Sequence, residues 1–395
     1  GQLVSSAGTQ IRLVALPYQI YVLTGSVFHV GLIGLFQAIP LISLPLIGGV
    51  LADRMDRRRV LIATQSGLAL TSLALALVTG AGITELWVLY GLTAVAASFS
   101  AIDQPARGSL VPTLVDRSEL PAAIALNQML HSTAAIVGPA VGGVVIASLG
   151  IAAAYWLDTL SFAAAIGAAV ALRAPRQPVA LPQSVFASLV EGVSYVTRNR
   201  LLLSSMVIDL LAMLFGSVRA LMPFYAEQVF KVGAQGLGLL FAAPGVGALI
   251  AAVTSGWVSH VRRPGIAVLL AVVAWGIAIA AFGLMTEGLF LLALVLVAIA
   301  EAADVLSAIF RHTILQTVVR EELRGRLTAI NGLFVIGGPH LGQVRAGAVA
   351  ALVSPQFAVI SGGLACVLAA IAVAIWAPEL PRYERETTVA EGAAT

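Results

Sequence analysis

Twelve apolar runs of about twenty residues, separated by short polar or Gly/Pro breaks, leave this chain almost no choice of environment. A helix crossing a bilayer needs roughly 20 such residues. In lipid every backbone polar group must be paired within the structure, so helices are the spanning element these runs can form. The runs fall at 3–24, 28–52, 60–79, 86–107, 123–148 and 152–172, then at 201–226, 235–259, 265–285, 289–312, 327–350 and 356–377. The expected fold class is therefore an all-α integral membrane protein with twelve transmembrane helices.

Composition agrees and narrows the options. Hydrophobic residues make up 59% of 395, charged residues 10%, and the mean hydropathy is +0.98, which excludes a water-soluble fold. Lys231 is the one lysine, and no GxxxxGK[ST] loop occurs, so the chain carries no ATP-binding machinery of that kind. HExxH, GxSxG and paired-cysteine motifs are absent too, which argues against a membrane enzyme. Cys366 is the single cysteine and can form no internal disulfide. The formal charge of +3 is scattered over short loops, so no nucleic-acid partner is expected. The chain opens at Gly1 and soon enters an apolar run, so no cleavable signal peptide is expected, and a short native N-terminus is expected to precede it.

Arginine placement fixes the expected topology. With loops assigned to alternate sides, one side receives Arg54, Arg57, Arg58, Arg59, Arg173, Arg198, Arg262, Arg263 and Arg324 among others, with Arg107 and Arg311 at helix ends there. The other side receives Lys231 alone. By the positive-inside rule the arginine-rich side is cytoplasmic, as are both termini. Residues 173–200 begin with Pro175, Pro178 and Pro182 and become amphipathic, as expected of a linker followed by a helix on the membrane surface. Arg107 and Arg311, and likewise Asn127 and Asn331, lie 204 positions apart within similar segments. The chain thus divides into a six-helix half at 1–172, the linker at 173–200, a second half at 201–377 and a polar tail at 378–395, with a cavity expected between parallel repeats.

Gly49 to Arg59 reads G-V-L-A-D-R-M-D-R-R-R, between the second and third runs. With the twelve-run repeat, it resembles the signature of the major facilitator superfamily. D-Q-P-A-R (Asp103 to Arg107), L-R-G-R (Leu323 to Arg326) and S-G-G-L near Ser361 are similar to the branch that holds bacterial siderophore (enterobactin) exporters and multidrug efflux proteins. Ala134 to Gly143, A-A-I-V-G-P-A-V-G-G, resembles the antiporter motif of that superfamily, with Ala134 in place of its first glycine. The resemblance implies export by proton exchange, with Gly138 and Pro139 sealing the fifth helix against leak. It also implies a latch in which Asp53 pairs with Arg107, flanked by Arg54 and Arg57, in the outward-open state. The turn at 255–265 keeps Arg262 and Arg263 but has no aspartate, so Asp53 would latch that side alone. Asp56 replaces the usual glycine; aspartate tolerates a left-handed turn better than most residues.

Ionisable groups inside a membrane cost about 2.5–3.5 kcal/mol each on insertion scales and are functional candidates by default. Arg12, Asp158, Asp209, Arg219, Glu301, Asp304 and Arg345 stand inside the expected spans. Glu301 and Asp304, three residues apart, share one helical face, and two carboxylates in a low-dielectric cavity compete for charge. One is expected to carry a proton, which makes this pair, with Asp209 as the lesser candidate, the expected proton-coupling group. Arg12, Arg219 and Arg345 are candidate anchors for an anionic substrate such as a catecholate, or counter-ions to the carboxylates. Tyr18 and His131 are further candidate cavity residues, with packing as the competing role. Asp158, just after Trp156, is expected near the outer start of its helix. Transport substrate is expected between helices 1, 4, 7 and 10. The expected activity is proton-driven export of a hydrophobic or amphipathic small molecule from the bacterial inner membrane, by a monomer with no cofactor beyond the proton gradient. An importer or facilitator, or a transporter-like sensor or scaffold, is the alternative.

Overall fold

The computed structural model describes residues 2–44, 56–116, 118–171, 185–319 and 321–385. Asp53 and Arg54 lie outside them, as do residues 173–184 of the linker and the last ten residues. The described residues contain no strand. The helices are α1 (Gln2–Thr24), α2 (Val27–Ser43), α3 (Arg57–Gly80), α4 (Leu86–Leu114), α5 (Leu120–Leu149), α6 (Ile151–Ala171), α7 (Arg200–Val229), α8 (Gly233–Thr254), α9 (Pro264–Gly283), α10 (Phe290–Val318), α11 (Glu321–Leu352) and α12 (Pro355–Trp376). An amphipathic helix, Val185–Arg198, precedes α7. Among the described residues nine helices are long and apolar enough to cross a membrane; α1, α2 and α11 fall below that threshold.

Some helices outrun their apolar runs. α4 and α10 continue to Leu114 and Val318, and α11 starts at Glu321, because backbone hydrogen bonding persists after apolarity ends. α7 breaks regularity at Ser217 and Val218, then continues through a short 3-10 turn and a π-helical stretch at Tyr225–Val229. Tight turns at one end use left-handed glycines, Gly25 (φ 63°) and Gly150 (φ 85°), where a side chain would be strained. We call this the far end; the opposite one is the arginine-rich end.

The polarity of α1 has a specific use. Ser5, Arg12 and Gln19, seven residues apart, bond to Gln65, Ser72 and Thr79 of α3, also seven apart, at 3.4, 3.2 and 2.9 Å. The constant offset of 60 residues marks two parallel helices in register. Both pack on α6, which closes the seam: Tyr155 donates to Gln19 at 2.7 Å, and Asp158 accepts from Ser72 at 2.6 Å. Interhelical hydrogen bonds of this kind hold helices where no hydrophobic effect drives them together.

The charged turn before α3 also has structural work. Asp56 is extended (φ −60°), not left-handed as its place in the motif suggested, and caps α3 by accepting from the Arg58 amide at 2.9 Å. A side chain that caps a free amide needs no glycine-like turn. Arg58 donates from Nε to the Ala169 carbonyl at 3.0 Å and from Nη2 to that of Val170, at the C-terminus of α6.

Glycine contacts bring the halves together. In α5, Gly138 lies against Ala7 and Gln10 and Gly142 against Ile11, all of α1, while Gly143 meets Gly238 of α8. A β-carbon at Gly143 would stand 2.8 Å from the Gly238 Cα. Gly31 similarly faces Gly347 of α11. Among the described residues neither α4 nor α10 makes extended contact with the opposite half. The halves are thus pressed together near the far end and stand apart along α4 and α10.

Candidate functional site

Where the halves stand apart, a cavity of about 270 Å³ opens in the middle of the bundle. α1 supplies Thr9, Arg12, Leu13, Leu16 and Pro17; α2 supplies Ile33, Gln37 and Leu41; α4 supplies Thr93, Ser100 and Gln104 among others. The second half contributes Arg219 of α7, Phe241 of α8, and His340 and Gln343 of α11. Helix 10 was expected in this lining and is absent from it, because its charges engage α7 elsewhere. Half of the lining residues are apolar, and the polar groups are two guanidiniums, an imidazole, three glutamine amides and the hydroxyls of Thr9, Thr93 and Ser100. That is the composition of a site for an amphipathic ligand with negative charge or several hydroxyls.

The two arginines differ. Arg12 stands 3.5 Å from Asp158 and donates to Ser72 at 3.2 Å. Asp158 is completely buried, not at a helix start as its neighbours suggested. The reason is that Arg12 supplies its counter-ion in the core. Arg219 makes no hydrogen bond or ion pair to any described residue and is exposed to the cavity. His340 beside it has a buried Nδ1 with no partner.

The remaining expected anchors lie elsewhere. Arg345 donates to the carbonyls of Phe215 at 2.9 Å and Ala358 at 2.8 Å and lies 5.4 Å from the Phe215 ring centroid, so its donors bind α7 to α12. His131 is an exposed side chain of α5 outside the cavity lining. Tyr18 and Tyr21 face Glu227 and Gln228 of α7 at the far end, beside a second cleft of about 610 Å³ that Tyr21 and Glu227 line. One carboxylate oxygen of Glu227 is buried and accepts no hydrogen bond, a feature that sequence reading missed. Gly138 sits in the α1–α5 contact, and the Pro139 carbonyl faces Gly238 of α8.

The carboxylates gather in two places. In the first half Asp103 accepts from Thr64 and Gln65, each at 2.8 Å, and from Arg107 at 3.0 Å. In the second half Arg311 pairs with Asp209 of α7 and stands 3.9 Å from Asp304 on its own helix. Glu301 lies one turn from Asp304 and makes no hydrogen bond or ion pair to a described residue. Arg311 was placed at a helix end by sequence but is buried in the core of its half. The repeat was the available signal, since Arg107 and Arg311 are equivalent. Their carboxylates are not: Asp209 corresponds to Ser5, Asp304 to Ser100, and Asp103 to Ser307, whose buried hydroxyl has no partner.

Residues 1–393 match the family described as transmembrane secretion effector, a major facilitator family. The enterobactin exporter EntS of Citrobacter koseri is 30% identical over 389 residues, covering 96% of this chain and 91% of that protein. EntS of Escherichia coli O157:H7 is 28% identical over 386 residues, with the same coverage. Among solved structures, the nucleoside transporter NupG superposes with a TM-score of 0.76 at 14% identity, covering 96% of this chain and 97% of that one. A bacterial homologue of the iron transporter ferroportin superposes with a TM-score of 0.71 at 17% identity, covering 95% and 97%. The twelve helices, the glycine-packed halves and the central cavity are therefore those of a multi-pass membrane transporter, and the chain belongs to the transmembrane secretion effector family of the major facilitator superfamily.

Proposed function

We propose that this chain exports an anionic, amphipathic small molecule, of the catecholate siderophore kind, in exchange for protons. The observation that carries the reading is Arg219, an uncompensated cation facing a central cavity that also holds Arg12, His340 and three glutamines. An unpaired guanidinium in a membrane is costly, and a ligand anion offsets that cost. Similarity to proteins named enterobactin exporters supports the substrate class and the direction of transport.

Glu301, Asp304 and Asp209 are the proton-coupling groups in this reading. The arginine-rich end faces the bacterial cytoplasm, both termini lie there, and the halves 1–172 and 201–377 rock about the linker 173–200. The contact of α5 with α1 and α8 through Gly138, Pro139 and Gly143 keeps the far end tight while the cavity faces the cytoplasm. Asp53, Arg54, Arg57 and Arg107 latch the opposite end in the outward-open state, and the tail 378–395 stays cytoplasmic. The proton gradient is the energy source, and a single chain is the working unit.

Two assays test this. An efflux-deficient bacterium expressing the chain, challenged with siderophores, dyes and antibiotics, should export the catecholates. Proteoliposomes with an imposed pH gradient should move enterobactin against it. Catecholate uptake down the gradient would favour an importer, and substrate-independent partner binding without flux would favour a sensor.

A further inference from the structure

Resting on the proton-coupled reading above, we infer that proton and substrate occupy separate sites. The proton is held by Asp304 under the control of Arg311, and the substrate sits in the central cavity. The cavity lining contains none of Asp209, Glu301, Asp304 or Arg311. Instead a separate crevice, of about 470 Å³, reaches Asp304 and Arg311 from between α7, α10 and α11. It shares no residue with the central cavity. Its α7 wall is Leu202, Ser205 and Met206, and the cavity's α7 residue is Arg219. At about 1.5 Å per residue these lie roughly 20 Å apart along the helix.

The charges facing Asp304 explain why a proton belongs there. From α7 comes Asp209; from α10 itself come Glu301, Arg311 and His312; α11 contributes the uncharged Asn331. Arg311 is committed to Asp209, which is buried. The Asp304 Oδ1 is buried too and accepts no hydrogen bond, and at 3.9 Å it is too far from Arg311 for a good one. One guanidinium between Asp209 and Asp304 leaves one of those two negative charges uncompensated, and a proton on Asp304 removes it; Glu301, one turn away, adds a further negative charge that favours the proton. Through the crevice Asp304 gives that proton to water and becomes a carboxylate. Arg311 is then divided between Asp304 and Asp209, which changes how α10 is held against α7. α7 passes on through its break at Ser217 and Val218 to Arg219, and α11 to His340 and Gln343, so the change reaches the cavity along these helices rather than through a shared residue. Arg311 is thus a positioning residue, and coupling is a linkage between sites, reciprocal in its binding energies.

The test separates shared from separate sites on the purified full chain, with enterobactin as the probe. Its dissociation constant measured between about pH 6 and 7.5 should change by no more than about threefold, as separate, modestly linked sites require, while gradient-driven exchange in proteoliposomes changes at least tenfold. Asp304→Asn and Arg311→Gln should each lose gradient-driven exchange at least tenfold and bind enterobactin within about threefold of the parent. A tenfold weakening of enterobactin binding on acidification, or in either variant, overturns the inference; the pH measurement needs no variant and is immune to misfolding. Parent protein that ignores an imposed pH gradient instead removes the proton-coupled reading itself, and the inference with it.

Discussion

The Arg12–Asp158 pair offers a sharp test of the energetics. Asp158 is fully buried, with Arg12 at 3.5 Å and the Ser72 hydroxyl at 2.6 Å as its polar partners. Asp158→Asn keeps the shape and the Ser72 contact but strands the Arg12 charge. Removing one partner of a buried pair costs about 3–5 kcal/mol. Because Arg12 also touches the cavity, water can relieve part of that, and we expect about 3 kcal/mol, roughly a hundredfold in the folding equilibrium. The combined variant Arg12→Met with Asp158→Asn buries no charge and should recover most of the loss. Thermal unfolding in detergent, followed by tryptophan fluorescence, measures all three proteins. Enterobactin binding gives a second readout: the double variant should stay folded and still bind poorly if Arg12 also serves the cavity. Asp158→Asn with parent stability would refute the reasoning, because it would mean that the pair is hydrated rather than buried.

Other consequences follow from single contacts. Arg219→Gln should raise the half-saturating concentration of enterobactin by about ten- to a hundredfold, the loss of one or two charge-assisted bonds, with neutral dyes unaffected in the same flux assay. Gly143→Val should prevent far-end closure, since even a β-carbon there would stand 2.6 Å from the Ala234 carbonyl oxygen; a cysteine at Tyr21 should then become more reactive towards an impermeant reagent from that side. Gln19→Leu leaves the buried Tyr155 hydroxyl without its acceptor, at a cost of about 1–3 kcal/mol measurable by thermal unfolding. Asp53→Asn should impair flux with little change in enterobactin affinity; a large affinity loss at unchanged turnover would move that turn into the binding site.

Much of the architecture was legible in the chain. The spacing of apolar runs depends on local sequence alone, so twelve helices followed directly, and the family followed from the segments it resembles, Gly49 to Arg59, Asp103 to Arg107 and Leu323 to Arg326. The seven-residue spacing of Ser5, Arg12 and Gln19 is also in the sequence, matched by Gln65, Ser72 and Thr79, but it acquires a meaning only from the parallel packing of α1 and α3. The membership of the cavity was less legible: Arg12 and Arg219 reached it, while Arg345, Tyr18 and His131 did not.

The physical reason lies in the solvent. In a soluble protein the polar face of a helix announces which side is outside, but in lipid both the buried and the exposed faces are apolar, and the rotation of each helix leaves little trace in the pattern. What the sequence determined was therefore which segments cross the membrane, in what order, and which rare charges they carry. What only the tertiary structure decided was the pairing of those charges: Arg12 with Asp158, 146 residues away, and Arg311 with Asp209, 102 residues away. Each pairing depends on the depth and rotation of two helices at once, and these are set by glycine contacts and interhelical hydrogen bonds between segments remote in the chain.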